Sequence, residues 1–148
     1  MSTIRDATIH DLPALVRLLG QLNETPSPAP TERHAAAFAA VVADPRQRLL
    51  VVERDGVVIG TAAMVIVPNL GHNGTPYALI ENVVVDEAAR GQRHGESLLR
   101  YTIDAARTAG CYKVVLTSRK HRKDAHRFYE RLGFDATSEG FRYTLIGD

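Results

Sequence analysis

The amino-acid sequence predicts a mixed α/β domain, on three observations. Asp55-Gly56 stands between two runs of β-branched residues, which is the pattern of an antiparallel hairpin. Around residues 12–22 and again over 95–109, apolar side chains recur at the three-and-four spacing of amphipathic helices. The 148 residues, 45% hydrophobic and 24% charged, can bury one substantial core and exclude wholesale disorder. Lys plus Arg (18) against Asp plus Glu (17) leaves +1, which speaks against a nucleic-acid binder and against an acidic solvating tail. The longest nearly apolar run, 57–67, is too short to span a bilayer, and the first residues contain no apolar signal region. A single cysteine, Cys111, cannot make an intrachain disulfide. The expectation is one cytoplasmic domain over residues 1–148, with no membrane partner.

Each element has its own local reason. Residues 4–7 read as a short strand, and Thr8 to Asp11 as a capping box that opens a helix carrying Leu12, Leu15, Val16, Leu19 and Leu22 on one face. Three prolines within 25–30 break that helix, and a second, Ala-rich helix follows over 32–42. Strands are expected over 49–53 and 57–67 on either side of the Asp-Gly turn, then a Gly/Asn-rich loop over 68–76, then a strand over 77–85. The 95–109 helix is stopped by Gly110, a buried strand is expected over 114–116, and the 124–132 helix is stopped by Gly133. The tail over 134–146 reads as two short strands. The predicted order is therefore β-α-α-β-β-β-α-β-α-β-β, a mixed sheet with helices packed on it.

The segment Arg90-Gly91-Gln92-Arg93-His94-Gly95 carries the chemistry, because it lies between a strand and the start of a helix. Unpaired N–H groups and the positive end of the helix dipole converge there, so it is a site for an anion such as a pyrophosphate. Gly91 and Gly95 permit close approach. A Walker loop is excluded because three residues, not four, separate these glycines and Glu96 follows; no G-x-G-x-x-G occurs anywhere.

This loop resembles the Gln/Arg-x-x-Gly-x-Gly/Ala motif of the GNAT superfamily of CoA-dependent N-acetyltransferases. The later segment Ala125-His126-Arg127-Phe128-Tyr129-Glu130-Arg131-Leu132-Gly133-Phe134 resembles that family's Ala-x-x-Phe-Tyr-x-x-x-Gly-Phe. Within the family, 124–129 and 141–144 look like aminoalkylphosphonate N-acetyltransferases, whereas 80–85 and 110–114 look like glucosamine-6-phosphate N-acetyltransferases. The latter usually have Asp where Asn82 stands. The resemblance implies a mostly antiparallel central sheet of six to seven strands flanked by about four helices, acetyl-CoA as cosubstrate, a small-molecule amine as acceptor and a possible homodimer. It also implies cofactor contacts from Val83, Val84, Val85, Arg90, Gly91, Gln92, Arg93, His94, Gly95, Glu96, Arg122 and Phe128. Two residues depart from the family pattern: Arg93 replaces the usual loop Gly, so it must keep φ below zero or accept strain, and Arg122 stands where many members have Asn.

An alkyl ammonium must lose a proton before it attacks a thioester. Glu81 occupies the strand position where family members often place the accepting carboxylate, and alternation puts Val83 and Val85 on its face. Burial within that apolar strand would raise its pKa toward a useful base. Tyr129 is the candidate acid for the departing thiolate. Asn82 and His72 are candidate acceptor contacts. The basic run over 119–123 precedes a helix start, an unfavourable placement unless it holds an anion. The six histidines show no metal-ligand spacing. Gly95-Glu96-Ser97 is half a nucleophile elbow and lacks its last glycine, which disfavours a serine hydrolase. The remaining alternatives are a catalytically silent CoA-binding module and acetylation of a protein N-terminus or lysine.

Overall fold

The computed structural model describes residues 1–24 and 29–146; most of the expected Pro-rich break lies outside them. The chain divides into two compact units, Met1–Leu116 and Thr117–Asp148.

The first unit is a five-stranded sheet in the order β1 (Ser2–Asp6), β2 (Gln47–Arg54), β3 (Val57–Val67), β4 (Tyr77–Val85), β5 (Val114–Val115). All neighbours are antiparallel except the parallel pair β4·β5. Asp55 and Gly56 both take positive φ, 52° and 79°, which is the geometry that lets a two-residue turn follow the sheet's twist. Helices α1 (Leu12–Leu22) and α2 (Glu32–Ala43) cover one face, where Leu15, Leu18 and Phe38 pack with Val51, Val58 and Val84. The other face meets α4 (His94–Thr108): Leu98 joins Leu50, Val52, Ile59 and Ala62, while Ala106 joins Met64 and Ala78. Leu50, Val51 and Val52 are therefore buried from alternating sides, which explains why β2 reads as a continuous apolar run.

The ends of α1 and α4 follow their local chemistry. Ahead of α1, the Asp11 carboxylate accepts from the Thr8 N–H at 2.7 Å. At the far end of α4, Gly110 takes φ 83°, its N–H donates to the Arg107 carbonyl at 3.0 Å, and the Cys111 N–H donates to the Ala106 carbonyl at 3.1 Å. This is the paired closure of a Schellman motif.

The second unit is built on α5 (Lys123–Arg131), closed in the same way. Gly133 at φ 103° donates to the Glu130 carbonyl at 3.0 Å, and the Phe134 N–H reaches the Tyr129 carbonyl at 3.1 Å. That closure brings Phe134 edge-on to Tyr129, with ring centroids 5.9 Å apart.

Three expectations need correction. The sheet has five strands, not six or seven, because the 134–146 tail forms none: Phe141, Tyr143, Leu145 and Ile146 are 82–93% exposed. Alternating apolar residues favour extended backbone, but a strand also needs a ladder partner. The 114–116 strand is two residues long and half-buried, as an edge strand can be. The 68–76 loop also contains a one-turn segment, α3 (Gly71–Gly74), in which His72 and Asn73 are left-handed.

Candidate active site

In the first unit the site grows from an irregularity in β4. Thr61 pairs with Val84 and Ala63 with Glu81, so two steps along β3 answer three along β4. The extra residue is a β-bulge at Asn82, whose φ of 54° is one that Asn tolerates better than most residues. The bulge reverses alternation. Ala78 packs on the α4 side, and so do Val83 and Val85, which lie at odd separations from it; Val84 packs beneath α1 and α2. Glu81 consequently does not share a face with Val83 and Val85, contrary to strict period-two reading, and it is exposed rather than buried.

The same strand has a free edge. Strand β5 pairs with β4 only at Ala78 and Leu79. Beyond Leu79 no strand lies along that side of β4 among the described residues of this unit. The β4 edge beyond Leu79 is thereby left for an extended ligand arm to pair with, the Val85 carbonyl being already engaged by a side chain.

At the C-terminal end of β4, the 86–93 segment turns the chain into α4. Burial pushes the Asp86 carboxyl upward, but hydrogen bonds from Arg17, the Ala88 N–H and Gln21 outweigh that and hold it below the usual carboxylate range. Gln21 also accepts from the Glu87 N–H at 3.0 Å, so α1 grips the loop's first residues. Gly91 has φ 82°, and Arg93 has φ 64°. Of the two possibilities open to Arg93, the chain takes the strained one. The first helical bond of α4 is from the Ser97 N–H to the Arg93 carbonyl at 3.1 Å. The N–H groups of residues 91–96 donate to no partner among the described residues, and they stand at the positive end of a 15-residue helix.

The loop side chains are less free than its amides. Arg90 folds back, its Nε donating to the Val85 carbonyl at 3.1 Å. Glu96 accepts from Arg100 one turn on, at 3.1 Å. Gln92 accepts from Arg54 of the β2–β3 hairpin, and the buried His94 lies beside both. Sequence reasoning missed Arg54, since nothing in the local pattern links a hairpin to a loop 38 residues away. His72 lies at the other end of β4, stacked on Tyr112 with centroids 3.9 Å apart, and Lys113 Nζ lies over the rings of Tyr112 and Tyr77.

In the second unit Tyr129 is buried between Phe128 and Phe134. Burial raises its phenol above the ordinary range, partly opposed by the positive charge of Arg122. Its hydroxyl makes no hydrogen bond among the described residues. Arg122 caps α5, and its basic run is folded into a turn in which the Arg122 N–H and His126 Nε2 both meet the Arg119 carbonyl, at 3.0 and 2.8 Å. Ser118 Oγ, just before this run, is buried without a partner among the described residues.

Residues 13–134 match the Acetyltransferase (GNAT) family. The chain belongs to the GNAT acetyltransferases. Over 141 residues it is 34% identical to a glucosamine 6-phosphate N-acetyltransferase of Trypanosoma brucei brucei, covering 91% of this chain and 90% of that one. It is 31% identical to an aminoalkylphosphonate N-acetyltransferase of Salmonella typhimurium, covering 95% and 88%. Among solved structures, glucosamine-6-phosphate N-acetyltransferase from Arabidopsis thaliana superimposes with a TM-score of 0.88 at 26% identity, covering 99% of each chain. This GNAT protein is thus an acetyltransferase enzyme, and acetyl-CoA is the acyl donor its family uses. No described helix is long and apolar enough to cross a membrane.

Proposed function

We propose that this GNAT enzyme moves the acetyl group of acetyl-CoA to a primary amine on a small molecule bearing a phosphate or phosphonate. The observation that carries the cofactor reading is the run of unpartnered N–H groups over 91–96, adjoining the free edge of β4. The amides and helix dipole hold the diphosphate, Arg93 adds a charge-assisted contact, and the edge at Val83 and Val85 takes the pantetheine arm as an added strand would. A main-chain N–H of that edge polarises the thioester carbonyl.

Glu81 receives the ammonium proton, directly or through a water, and its exposure leaves it open to a soluble amine. The freed amine nitrogen attacks the carbonyl carbon, the C–S bond breaks, and the electron pair leaves on sulfur. Tyr129 supplies the proton that this thiolate takes up; the raised phenol pKa keeps that proton in place at neutral pH. The anionic acceptor is supported by the names of the two curated relatives and by the basic run over 119–123.

The test is calorimetric titration with coenzyme A, followed by an acceptor panel of aminoalkylphosphonates, amino-sugar phosphates, polyamines and amino acids read by thiol release. The expected result is heat of binding and a preference of about tenfold or more in kcat/KM for phosphorus-bearing amines, the scale of one charge-assisted contact. Preference for neutral or cationic amines would overturn the acceptor class, and absence of binding would overturn the cofactor site.

A further inference from the structure

Left-handed backbone at Gly91 is free of steric cost, but at Arg93 the Cβ crowds the following carbonyl. A loop that holds its amides convergent through such a residue needs an external hold. The residues on either side of Arg93 both have one. Arg54 Nη1 donates to Gln92 Oε1 and lies 3.4 Å from His94 Nε2, and Gln92 Oε1 lies 3.3 Å from that same nitrogen. With the His94 proton on Nε2, the Gln92 oxygen accepts from both. His94 is buried and is the first residue of α4. Arg54 is the last residue of β2, held in register opposite Val57 across the tight turn. The end of a hairpin strand and the start of a helix thus meet at the two residues that flank the strained one.

We propose that Arg54 is a positioning residue for the cofactor. Through Gln92 and His94 it keeps Arg93 left-handed, so that the amides of 91–96 converge before the diphosphate arrives. This rests on the cofactor reading above, and the experiment separates the two.

Coenzyme A affinity is measured by calorimetry for the unaltered enzyme, Arg54→Ala, Arg93→Gly and the double variant, with thermal melts confirming that each is folded. Arg54→Ala is expected to weaken binding by about tenfold, the loss of a hydrogen-bonded charged group. In the Arg93→Gly background the same substitution should cost less than about twofold, because glycine adopts this φ unaided. Any contact that Arg93 itself makes cancels in that comparison. An equal loss in both backgrounds would place Arg54 directly on the phosphates and overturn the positioning role, and so would no loss in either. A second route uses Gln92→Ala: adding Arg54→Ala to it should weaken binding no further, and a further tenfold loss would count against the proposal. If the unaltered enzyme binds no coenzyme A, the cofactor reading itself has failed.

Discussion

Two side chains divide the proposed proton transfers between them, and their surroundings differ. Tyr129 is enclosed by aromatic rings and held protonated by burial. Tyr129→Phe preserves that packing and should lower kcat by about 10²-fold or more while leaving coenzyme A affinity unchanged, since general acids contribute on that scale. The alkaline limb that Tyr129 imposes on the pH–rate profile should lie above the ordinary phenol value of about 10, because its folded-state pKa is raised. Glu81 is exposed, and the part proposed for it is only to take a proton from an ammonium. The loss caused by Glu81→Gln should therefore be greatest near neutral pH and shrink as the amine deprotonates unaided. A deficit that stays constant across the pH–rate profile would remove Glu81 as the base.

At the scale of elements, each unit has one place where a regular structure is ended or broken beside a residue of the proposed mechanism. The Schellman closure of α5 needs Gly133 at φ 103°, and no heavy atom lies within 4 Å of an added Cβ there. Gly133→Ala should thus cost only backbone strain, about 1–2 kcal/mol in thermal or denaturant unfolding, and loosen the Tyr129–Phe134 contact. The bulge in β4 makes a similar demand at Asn82. Asn82→Gly should keep it, whereas Asn82→Val, β-branched in a left-handed position, should destabilise by about 1–3 kcal/mol. Beyond stability, the valine variant should weaken coenzyme A binding, because restored alternation would re-aim residues 83–85. A valine variant with unchanged affinity would separate the bulge from the cofactor edge.

Within the first unit, charge pairs tie the sheet to its covering helices and set its response to acid. Arg5 on β1 donates to both oxygens of Asp11, at 2.8 and 3.0 Å, and reaches Glu53 on β2 at 3.2 Å. The hydrogen bonds from Arg5 do most to lower the Asp11 pKa, with help from the Thr8 N–H and against the effect of burial. A carboxyl whose folded pKa is depressed adds stability that is present above the unfolded value of about 4 and is lost as pH falls through the folded one. Asp86, held by Arg17, behaves in the same way. Asp11→Asn should therefore lower stability at pH 7 by about 1–2 kcal/mol and by much less below pH 3. Equal destabilisation at both pH values in chemical denaturation would show that charge at Asp11 is not what matters.

Much of this architecture was legible in the sequence because its causes are local. Steric freedom at Asp55-Gly56, the glycine stops at Gly110 and Gly133, the Thr8–Asp11 box and the apolar stripes of α1 and α4 each act within a few residues. The strand-to-helix loop before α4 was legible for the same reason: a strand end, a glycine and a helix start are contiguous in the chain. Tertiary structure alone decided what depends on partners distant in sequence. The bulge that turns Glu81 away from Val83 and Val85 exists only through pairing with β3, and the tail's alternation makes no strand without a ladder to join. Arg54 meets Gln92 and His94 only because the hairpin folds against the start of α4. Local sterics can be read one residue at a time, but hydrogen-bond ladders and ion pairs exist only once the chain has brought both partners together.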